Sequence, residues 1–442
     1  MRLWIGSDGP ASLGQQADVR AMTQRVLWFA REGDAVVLMD TPNPAFVAHV
    51  TGLTGVDPAR LRFHVLPSRW AGGNFDAWSL LDPRFQDALG ADAAAAAEVV
   101  ALWPCPEVAW LVRSLGIEDR LPGAAFWREG GGALANSKVV FRALAGGAGV
   151  PVAPGGVCRS REDAYSLSGH LLRRGHAFVV KRDYGGGGLG NEIVASGPLA
   201  VSHAGHASAE RVEPTPQSLG AYWDRRWDWA SEGGARPFVV EAFVPDARTL
   251  YVEVACTDGG GGGGNIGELQ FERGRVAREV FPAQGVPPAA LDALHGGARR
   301  LAVAYQSIGY RGHLSLDSVV TPEGRVCFTE ANARFTTSTH LYEPIAERVA
   351  RAAEAPGRVI VQATSPRSWQ LADLGAFLGP LARHGLAFDC ATRTGVLAVT
   401  PVVAGTGQLV MAAIAEGAAA AGELLASVER CFAPAEEVGD ER

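Results

Sequence analysis

Of the forty basic residues in the chain, only two are lysines, Lys138 and Lys181. Abundant Ala, Gly and Arg suggest a GC-rich genome, in which Lys drifts to Arg wherever Arg will serve. Lys is retained where a compact point charge on a flexible stem is needed. Both lysines lie in motif-like settings, ANSKVVF and VVKRDYGGGGLG. Acidic oxygen donors gather in a third place, HLSLDSVV-TPEG-RVCFTEANAR, which ends at Arg334. TPEG reads as a turn with Pro at its second position. A two-residue loop pairs 320 with 325, so Asp317 faces Phe328, Ser315 faces Glu330 and His313 faces Asn332. Asp317, Glu330 and Asn332 then share one face of a hairpin. The two carboxylates are diagonal neighbours, roughly 7–8 Å apart at the backbone. Carboxylates that close repel unless a cation lies between them. Oxygen ligands of this kind suit a Mg²⁺ ion that keeps some water and also binds nucleotide phosphates; Mn²⁺ is the alternative metal. The competing reading is a pair of solvated strand carboxylates, which the apolar surroundings disfavour.

Residues 181–194, KRDYGGGGLGNEIV, contain the literal pattern G-x-G-x-x-G at Gly185, Gly187 and Gly190. A dinucleotide fingerprint of that form must open a helix, whereas NEIVAS favours strand. A Walker-type loop needs Gly-Lys-Ser/Thr, and Gly190 is followed by Asn191. What remains is a glycine-rich loop between antiparallel strands. Its backbone N–H groups, at Gly185, Gly186, Gly187 and Gly188, can approach phosphate oxygens, and Lys181 just upstream can point at the same phosphates. A flexible hairpin tip is the bland alternative. A protein kinase would also need H-R-D and D-F-G motifs, and neither occurs. The longer run DGGGGGGNIG at 258–267 has no such companions and is expected to be a strand-connecting loop outside the site.

The elements that must carry these residues follow from periodicity. Strand and helix signals alternate over the first ~125 residues: RLWIGS, a helical stretch at 14–32, AVVLMD, PAFVAHVTGLTG and LRFHVLPS. This order predicts a small parallel α/β unit. The Ala-rich stretch 91–103 reads as a further helix, and 104–118 as another ending at Gly116. Asn136 or Ser137 is expected to cap a helix that ends in the Gly146–Gly149 cluster before Pro151. Strands are predicted at 176–184 and 191–196, with loop from 197 to 215. The Trp-rich stretch 218–232 predicts an amphipathic helix covering a core, with a substrate lid as the rival reading. Residues 237–257 and 267–281 read as sheet and 287–310 as helix. Beyond the hairpin come helices after about 345, strands GVLAVTPVV and GQLVMAAIA, and a closing Ala-rich helix at 417–432. His313 and His340 lie nearest the hairpin and read as structural rather than substrate-touching.

These separated motifs, in this order and spacing over about residues 130–345, resemble the carboxylate–amine ligases of the ATP-grasp superfamily. The resemblance rests on NSK with Lys138, VVKRDYGGGGLG with Lys181, VVEAFV spanning Glu241 to Val244, and LD…TEANAR. It implies an ATP-grasp fold, mixing α/β and α+β parts, behind an N-terminal Rossmann-like pre-ATP-grasp α/β domain. The implied domains are 1–130, a central subdomain 131–240 with the glycine loop, and a C-terminal subdomain 241–442 with the metal hairpin. Lys138 and Lys181 resemble the lysines that hold ATP phosphates, and Gly185–Gly188 the mobile loop over them. Glu241 resembles the hinge carboxylate that accepts from the adenine amino group, with Phe243 and Val244 supplying backbone contacts. Asp317, Glu330 and Asn332 resemble the magnesium ligands, and Arg334 the arginine beside the reacting phosphoryl group. Many relatives carry an acidic ribose ligand shortly after the hinge. Here Asp246 and Arg248 are the nearby polar choices.

Within the superfamily the pattern looks most like the pheganomycin-type peptide ligases of natural-product biosynthesis, on KRDYGGGGLGNE, EANARFTTSTH and the leading α/β domain. That likeness implies activation of a carboxylic acid, an N-amidino amino acid in those ligases, as an acyl phosphate. The acid is then joined to the amine of an amino acid or peptide, with release of ADP and phosphate. A small-molecule phosphotransferase on the same fold is the alternative, and a nucleotide-binding regulator without turnover a further one.

Composition bounds the rest. The chain has 442 residues, a net charge of −7 and 47% hydrophobic residues, which predicts two or three domains. Charges are mixed along the chain, so neither a nucleic-acid nor a polybasic membrane surface is expected. No apolar run reaches ~18 residues, and the N-terminus lacks the apolar core of a signal peptide. A cytoplasmic protein is the expectation. The six cysteines contain no C-x-x-C pair, so they read as reduced thiols without a zinc site. The apolar N-terminal unit and the closing helix are the candidate faces for a homodimer.

Overall fold

A computed structural model describes residues 1–7, 20–67, 77–198, 204–351 and 353–432. The first sheet is parallel and four-stranded: β1 Arg2–Ile5, β2 Ala35–Leu38, β3 Arg62–Val65 and β4 Glu98–Ala101, in the order β3-β2-β1-β4. Its central strands are apolar runs, as a sheet covered on both faces demands. Helices Pro44–Thr54 and Pro83–Ala95 run between strands, each started by an Asx cap (Asn43, Asp82) with Pro at the first turn. Helix Pro106–Ser114 follows β4, and the chain turns at Gly116 with φ +70°, a left-handed position that suits glycine.

Two expectations for this unit need correction. The Ala-rich helix stops at Ala95, and residues 98–101 are strand β4, paired with β1. Edge pairing beside β1 overrides the helical composition upstream. The helix expected over 14–32 is, among the described residues, a short helix Arg20–Thr23 followed by a 3₁₀ turn Gln24–Trp28; residues 14–19 lie outside the described residues.

The second sheet contains β5 Gly155–Cys158, β6 Phe178–Arg182, β7 Asn191–Ala195, β8 Ser208–Arg211 and β9 Phe238–Ala242, in the order β5-β9-β6-β7-β8. β6 and β7 are antiparallel and flank the glycine loop, so strand does follow the glycines. β8 lies inside the stretch expected to be loop. It pairs parallel to β7 through SAER, a ladder with no local signature. The Trp-rich helix is Pro216–Ser231. Its Tyr222 and Trp223 are buried in the core of this sheet with Leu171, Phe178 and Phe238, which is the core-covering reading; no residue of this helix lines the cavity described below.

The third sheet is antiparallel and eight-stranded: β10 Arg248–Thr257, β11 Gly260–Glu272, β12 Arg275–Phe281, β13 Gly312–Val320, β14 Val326–Asn332, β15 Arg358–Thr364, β16 Gly395–Ala398 and β17 Val410–Glu416. Their order is β14-β13-β10-β11-β12-β15-β17-β16. Helix Pro288–Ser307 covers one face, and the closing helix Gly417–Phe432 ends the described chain. β15 lies in a stretch that reads as helical in sequence. The long glycine run is also not a loop. From Gly260 it is the first half of β11, with Gly261 opposite Cys256 and Gly263 opposite Val254. The β10 ladder fixes a segment that has no strand propensity of its own. Gly264 has φ +138°, and a Cβ there would press within 2.6 Å of His295 on the covering helix.

The first and third sheets share two apolar cores. One joins Leu3, Ile5 and Val99 to Leu250, Leu316 and Phe328. The other joins Trp28 and Val36 to Ile360, Leu397 and Ile414. The second sheet keeps a separate core. Among the described residues no helix is long and apolar enough to cross a membrane.

Candidate active site

A cavity of about 740 Å³ opens between the second and third sheets. Its walls carry Lys181, Gly186–Gly188, Glu241, Phe243 and Val244 on one side, and Asp317, Glu330, Asn332 and Arg334 on the other. Residues that are distant in sequence therefore meet on one cavity.

The carboxylate hairpin reaches this arrangement by a different register. Thr321 N–H donates to Arg325 O at 2.9 Å, and Gly324, with φ +82°, donates to Thr321 O at 2.8 Å. This is a three-residue loop with a left-handed glycine, a common hairpin closure. A bulge between Asp317 and Ser318 shifts the ladder once more, so Asp317 stands directly opposite Glu330 and Ser315 opposite Asn332. The expected diagonal placement of the two carboxylates is thus corrected to a direct pair. All three oxygen donors still share one face, and the pair is closer than a diagonal allows.

Electrostatics reflect that closeness. Burial first, and then the neighbouring Glu330 charge, push the Asp317 carboxyl well above its usual range. Burial would also raise Glu330, but Lys138, the hydrogen bond from Asp317, and Lys181 outweigh it and hold Glu330 low. The two shifts run in opposite directions, so Glu330 ionises before Asp317. Asn332 Nδ2 donates to Asp317 Oδ2 at 3.3 Å. Among the described residues no three His, Cys, Asp or Glu form a metal-binding group; the hairpin offers two carboxylates and an amide.

Both lysines are buried, each held by a carboxylate. Lys138 Nζ lies 3.1 Å from Glu330 Oε2 and donates to Gly185 O at 2.8 Å. It opens helix Lys138–Gly147, whose N-cap is Ser137. Asp183, beside the glycine loop, accepts from Ser137 Oγ at 2.6 Å and from Val139 N at 3.1 Å, so the helix start and the loop are tied together. Lys181 Nζ lies 2.6 Å from Glu241 Oε1 and donates to Thr329 O at 3.3 Å. Glu241 Oε2 pairs with Arg142 Nη1 at 2.6 Å.

Sequence reasoning misses Arg142, although it follows Lys138 by one helical turn and therefore shares its face. Asn136 has a different task from capping. Its Oδ1 accepts from Arg334 Nη1 at 2.6 Å and from Ala333 N at 3.0 Å. The Arg334 guanidinium also lies over the Trp103 ring at 4.1 Å. Phe243 N–H donates to Ala177 O at 2.8 Å, so that group of the segment is engaged within the fold.

Gly185, Gly187 and Gly188 have φ of +147°, +59° and +79°. A Cβ on Gly188 would fall 2.6 Å from the Gly205 backbone. The loop therefore needs glycine for shape as well as for exposed N–H groups. Three expected site residues do not line the cavity: Lys138 and Gly185, which are joined to each other beside Glu330, and Arg248. Arg248 grips Glu268 at 2.6 Å and the carbonyl of Gln284 at 2.7 Å. The histidines near the hairpin do not line the cavity either. His313 Nδ1 meets the Tyr342 hydroxyl at 3.0 Å and His340 Nε2 meets Gln362 Oε1 at 2.7 Å. Burial holds their pKa values down, at about 4 and about 3.

Residues 23–117 match the Pre ATP-grasp domain family. The mitochondrial pyruvate carboxylase of Rattus norvegicus is 26% identical over 265 residues, which are 58% of this chain. The chain spans only 19% of the length of that relative. Among solved structures, the biotin carboxylase domain dimer of Hydrogenobacter thermophilus 2-oxoglutarate carboxylase, in complex with MgADP, ADP and bicarbonate, aligns with a TM-score of 0.60. It is 13% identical, with 97% of this chain and 89% of that chain covered. The N5-carboxyaminoimidazole ribonucleotide synthetase of Thermus thermophilus aligns with a TM-score of 0.56 and 16% identity, covering 98% and 99% of the two chains. The Staphylococcus aureus N5-carboxyaminoimidazole synthetase, complexed with ADP, gives a TM-score of 0.56 at 12% identity, covering 98% and 96%. The chain has an ATP-grasp fold, in which a pre-ATP-grasp parallel α/β domain precedes the two sheets that flank the cavity.

Proposed function

We propose that the chain is an ADP-forming carboxylate–amine ligase, and within that class a peptide ligase of the pheganomycin type. The observation that carries the reading is the convergence on one cavity of a phosphate-suited glycine hairpin, the buried Lys181, a carboxylate pair and Arg334, with the buried Lys138 paired to Glu330 of that set. ATP is the co-substrate, and several relatives by fold are solved with ADP, one of them as MgADP.

The donor set fits a divalent cation. Asp317 stands directly opposite Glu330, and the Glu330 charge disfavours ionising Asp317; a hard cation with oxygen preference would offset that repulsion. Asp317, Glu330 and Asn332 would hold Mg²⁺ or Mn²⁺, which supplies charge neutralisation for phosphate oxygens. Lys138 and Lys181 then exchange their carboxylate partners, wholly or in part, for phosphates. Glu241 keeps lone pairs beyond those engaged by Lys181 and Arg142, and so can accept from an adenine amino group.

In this reading a substrate carboxylate oxygen attacks the γ-phosphorus as the bond to the β-phosphate oxygen breaks, giving an acyl phosphate and ADP. An amine then attacks the acyl carbon. Phosphate leaves, and the amine proton passes to solvent or to the departing phosphate. Arg334, fixed by Asn136 and Trp103, stabilises the negative charge that develops. Donors of this kind are worth about 10²–10³ in rate. The glycine hairpin covers the phosphates and excludes water, which would hydrolyse the acyl phosphate.

Incubation with ATP, Mg²⁺, candidate acids and hydroxylamine tests the reading. ADP, phosphate and a hydroxamate are expected. A phosphoester instead identifies a phosphotransferase, AMP with pyrophosphate identifies an adenylating enzyme, and no turnover identifies a binder. A homodimer belongs to the same proposal, by analogy with the biotin carboxylase domain dimer, and its mass in solution tests it.

A further inference from the structure

The cavity extends well past the carboxylate pair. Its lining crosses the third sheet from Glu330 on β14 and Asp317 on β13, over Thr249, Leu269 and Val276, to Thr364 at the end of β15. In the strand order β15 stands five steps from β14, which at about 4.8 Å per step is about 24 Å along the sheet. The triphosphate and metal of the proposed reaction belong to one end of this floor.

Two loops that lock together build the other end. Arg367 opens the 3₁₀ turn Arg367–Trp369 just after β15, and residues 403–408 lie between β16 and β17. The Arg367 carbonyl accepts from Gln370 N at 3.2 Å and from Gln370 Nε2 at 2.7 Å. Trp369 stacks on Phe432 of the closing helix, with ring centres 4.5 Å apart. A Cβ on Gly407 would fall 2.9 Å from the Gln370 backbone, so the second loop is seated against the first.

Arg367 and Gln408 both line the cavity. Gln408 Nε2 donates to Ser365 O at 2.8 Å, and Gln408 Oε1 accepts from Arg367 Nε at 3.2 Å. The amide thus fixes the guanidinium through Nε and leaves Nη1 and Nη2. Among the described residues neither Nη has a hydrogen-bond partner, and Arg367 enters no ion pair. The paired N–H groups of a guanidinium match the two oxygens of a carboxylate. A loose surface arginine loses side-chain entropy when it binds; Gln408 has already removed part of that freedom.

We propose that Arg367, set by Gln408, is a carboxylate seat for the amine-bearing substrate of this cavity. The inference rests on the ligase reading for the roles of the two ends, but the seat itself is a binding property. The substrate lies over the sheet with its amine toward the phosphates and its carboxylate at the rim. A single amino acid is too short for that span, since an extended chain covers at most about 3.6 Å per residue. The class selected is therefore an extended chain with an amine at one end and a free carboxylate at the other.

Calorimetric titration with tetra-alanine and with tetra-alanine amide, in the presence of Mg²⁺ and a non-hydrolysable ATP analogue, tests the seat. The free acid is expected to bind at least about tenfold tighter, which is the loss expected for one charge-assisted hydrogen bond. Arg367 is exposed, so Arg367→Gln leaves the cores untouched, and it is expected to level the two affinities. Nucleotide titration of the same variant reports whether it is folded, and comparison of the two probes on the unaltered chain needs no variant. Equal binding of the probes, no binding of the free acid, or an undiminished preference in a folded Arg367→Gln protein overturns the proposal.

The hydroxamate assay uses no peptide and so reports on the ligase reading alone. Hydroxamate formed by a protein that shows no preference between the probes would reject the seat and keep the ligase. A preserved preference with no ADP formed from any acid would reject the ligase reading and leave the seat standing.

Discussion

Lys181 Nζ sits 2.6 Å from Glu241 Oε1, and the other oxygen of that carboxylate is held by Arg142 at 2.6 Å. One carboxylate thus positions one of the chain's two lysines from behind, while a second contact, to Thr329 O, aims it at the hairpin that carries Glu330. An arginine cannot occupy this place unchanged. Its planar fork is larger and its donors diverge, whereas the site is buried and lined by fixed partners. Lys181→Arg is expected to lower ADP formation by about 10²–10³ while far-UV circular dichroism stays that of the parent protein. Turnover at the parent rate would remove Lys181 from the phosphate site.

The glycines of the hairpin are not equivalent. Gly188 has φ +79° with its Cβ position blocked by the Gly205 backbone, whereas Gly187 has φ +59° with nothing within 4 Å. Gly187→Ala carries only the left-handed penalty of about 1–2 kcal/mol. Gly188→Ala adds a backbone clash that must displace the loop. Nucleotide affinity, measured by fluorescence titration, is expected to fall roughly tenfold or less for Gly187→Ala and clearly further for Gly188→Ala. Equal affinities in the two variants would mean that the loop does not form the nucleotide lid in this conformation.

The raised pKa of Asp317 has a measurable consequence. Asp317 has its folded pKa raised by burial and by Glu330, so in the metal-free protein the proton is retained to a pH above the usual carboxylate range. A bound divalent cation requires both carboxylates ionised. Binding of the Mg²⁺–nucleotide complex is therefore expected to release up to about one proton, and its affinity to rise with pH until Asp317 is ionised. Calorimetry in buffers of different ionisation enthalpy checks this. Zero proton release near neutral pH would contradict a metal on this pair.

Much of this site is legible in sequence because its signals are local or compositional. The two surviving lysines are a compositional signal, whereas a glycine run followed by a strand signal and a turn flanked by alternating carboxylates each occupy fewer than thirty residues. What is not legible depends on pairing at long range. β8 and β15 acquire their ladders from β7, β12 and β17, and the glycine half of β11 from β10. Shortening that run would accordingly shift a strand register, not trim a loop. The hairpin register departs from expectation for a local reason, because Gly324 lengthens the turn and a bulge adds one residue. Asn136 reads in sequence as one of two possible caps, and only the fold reveals that it holds Arg334 198 residues away. Glu253 and Glu279 do leave a trace, as lone acids in the apolar strands YVEVAC and REVF, a pattern that marks buried polar function or strain.

Glu253 allows a last test, of stability. Burial raises its pKa from 4.5 to about 7, against the opposing hydrogen bonds from Thr336, Ser315 and Thr339. The folded state therefore binds the proton more tightly than the unfolded chain. The stabilisation is fully present below pH 4.5 and is lost as pH rises through about 7. The loss is on the order of 3 kcal/mol, at about 1.4 kcal/mol for each pKa unit. A neutral amide keeps the shape and avoids the ionisation, and the threonine hydroxyls can rotate to serve it. Glu253→Gln is expected to melt a few degrees higher than the parent at pH 8 and no higher at pH 5, with Glu279 still contributing its own fall over the same window. If the variant melts lower at pH 8, the buried carboxylate is ionised in the folded protein and its neighbours stabilise the charge.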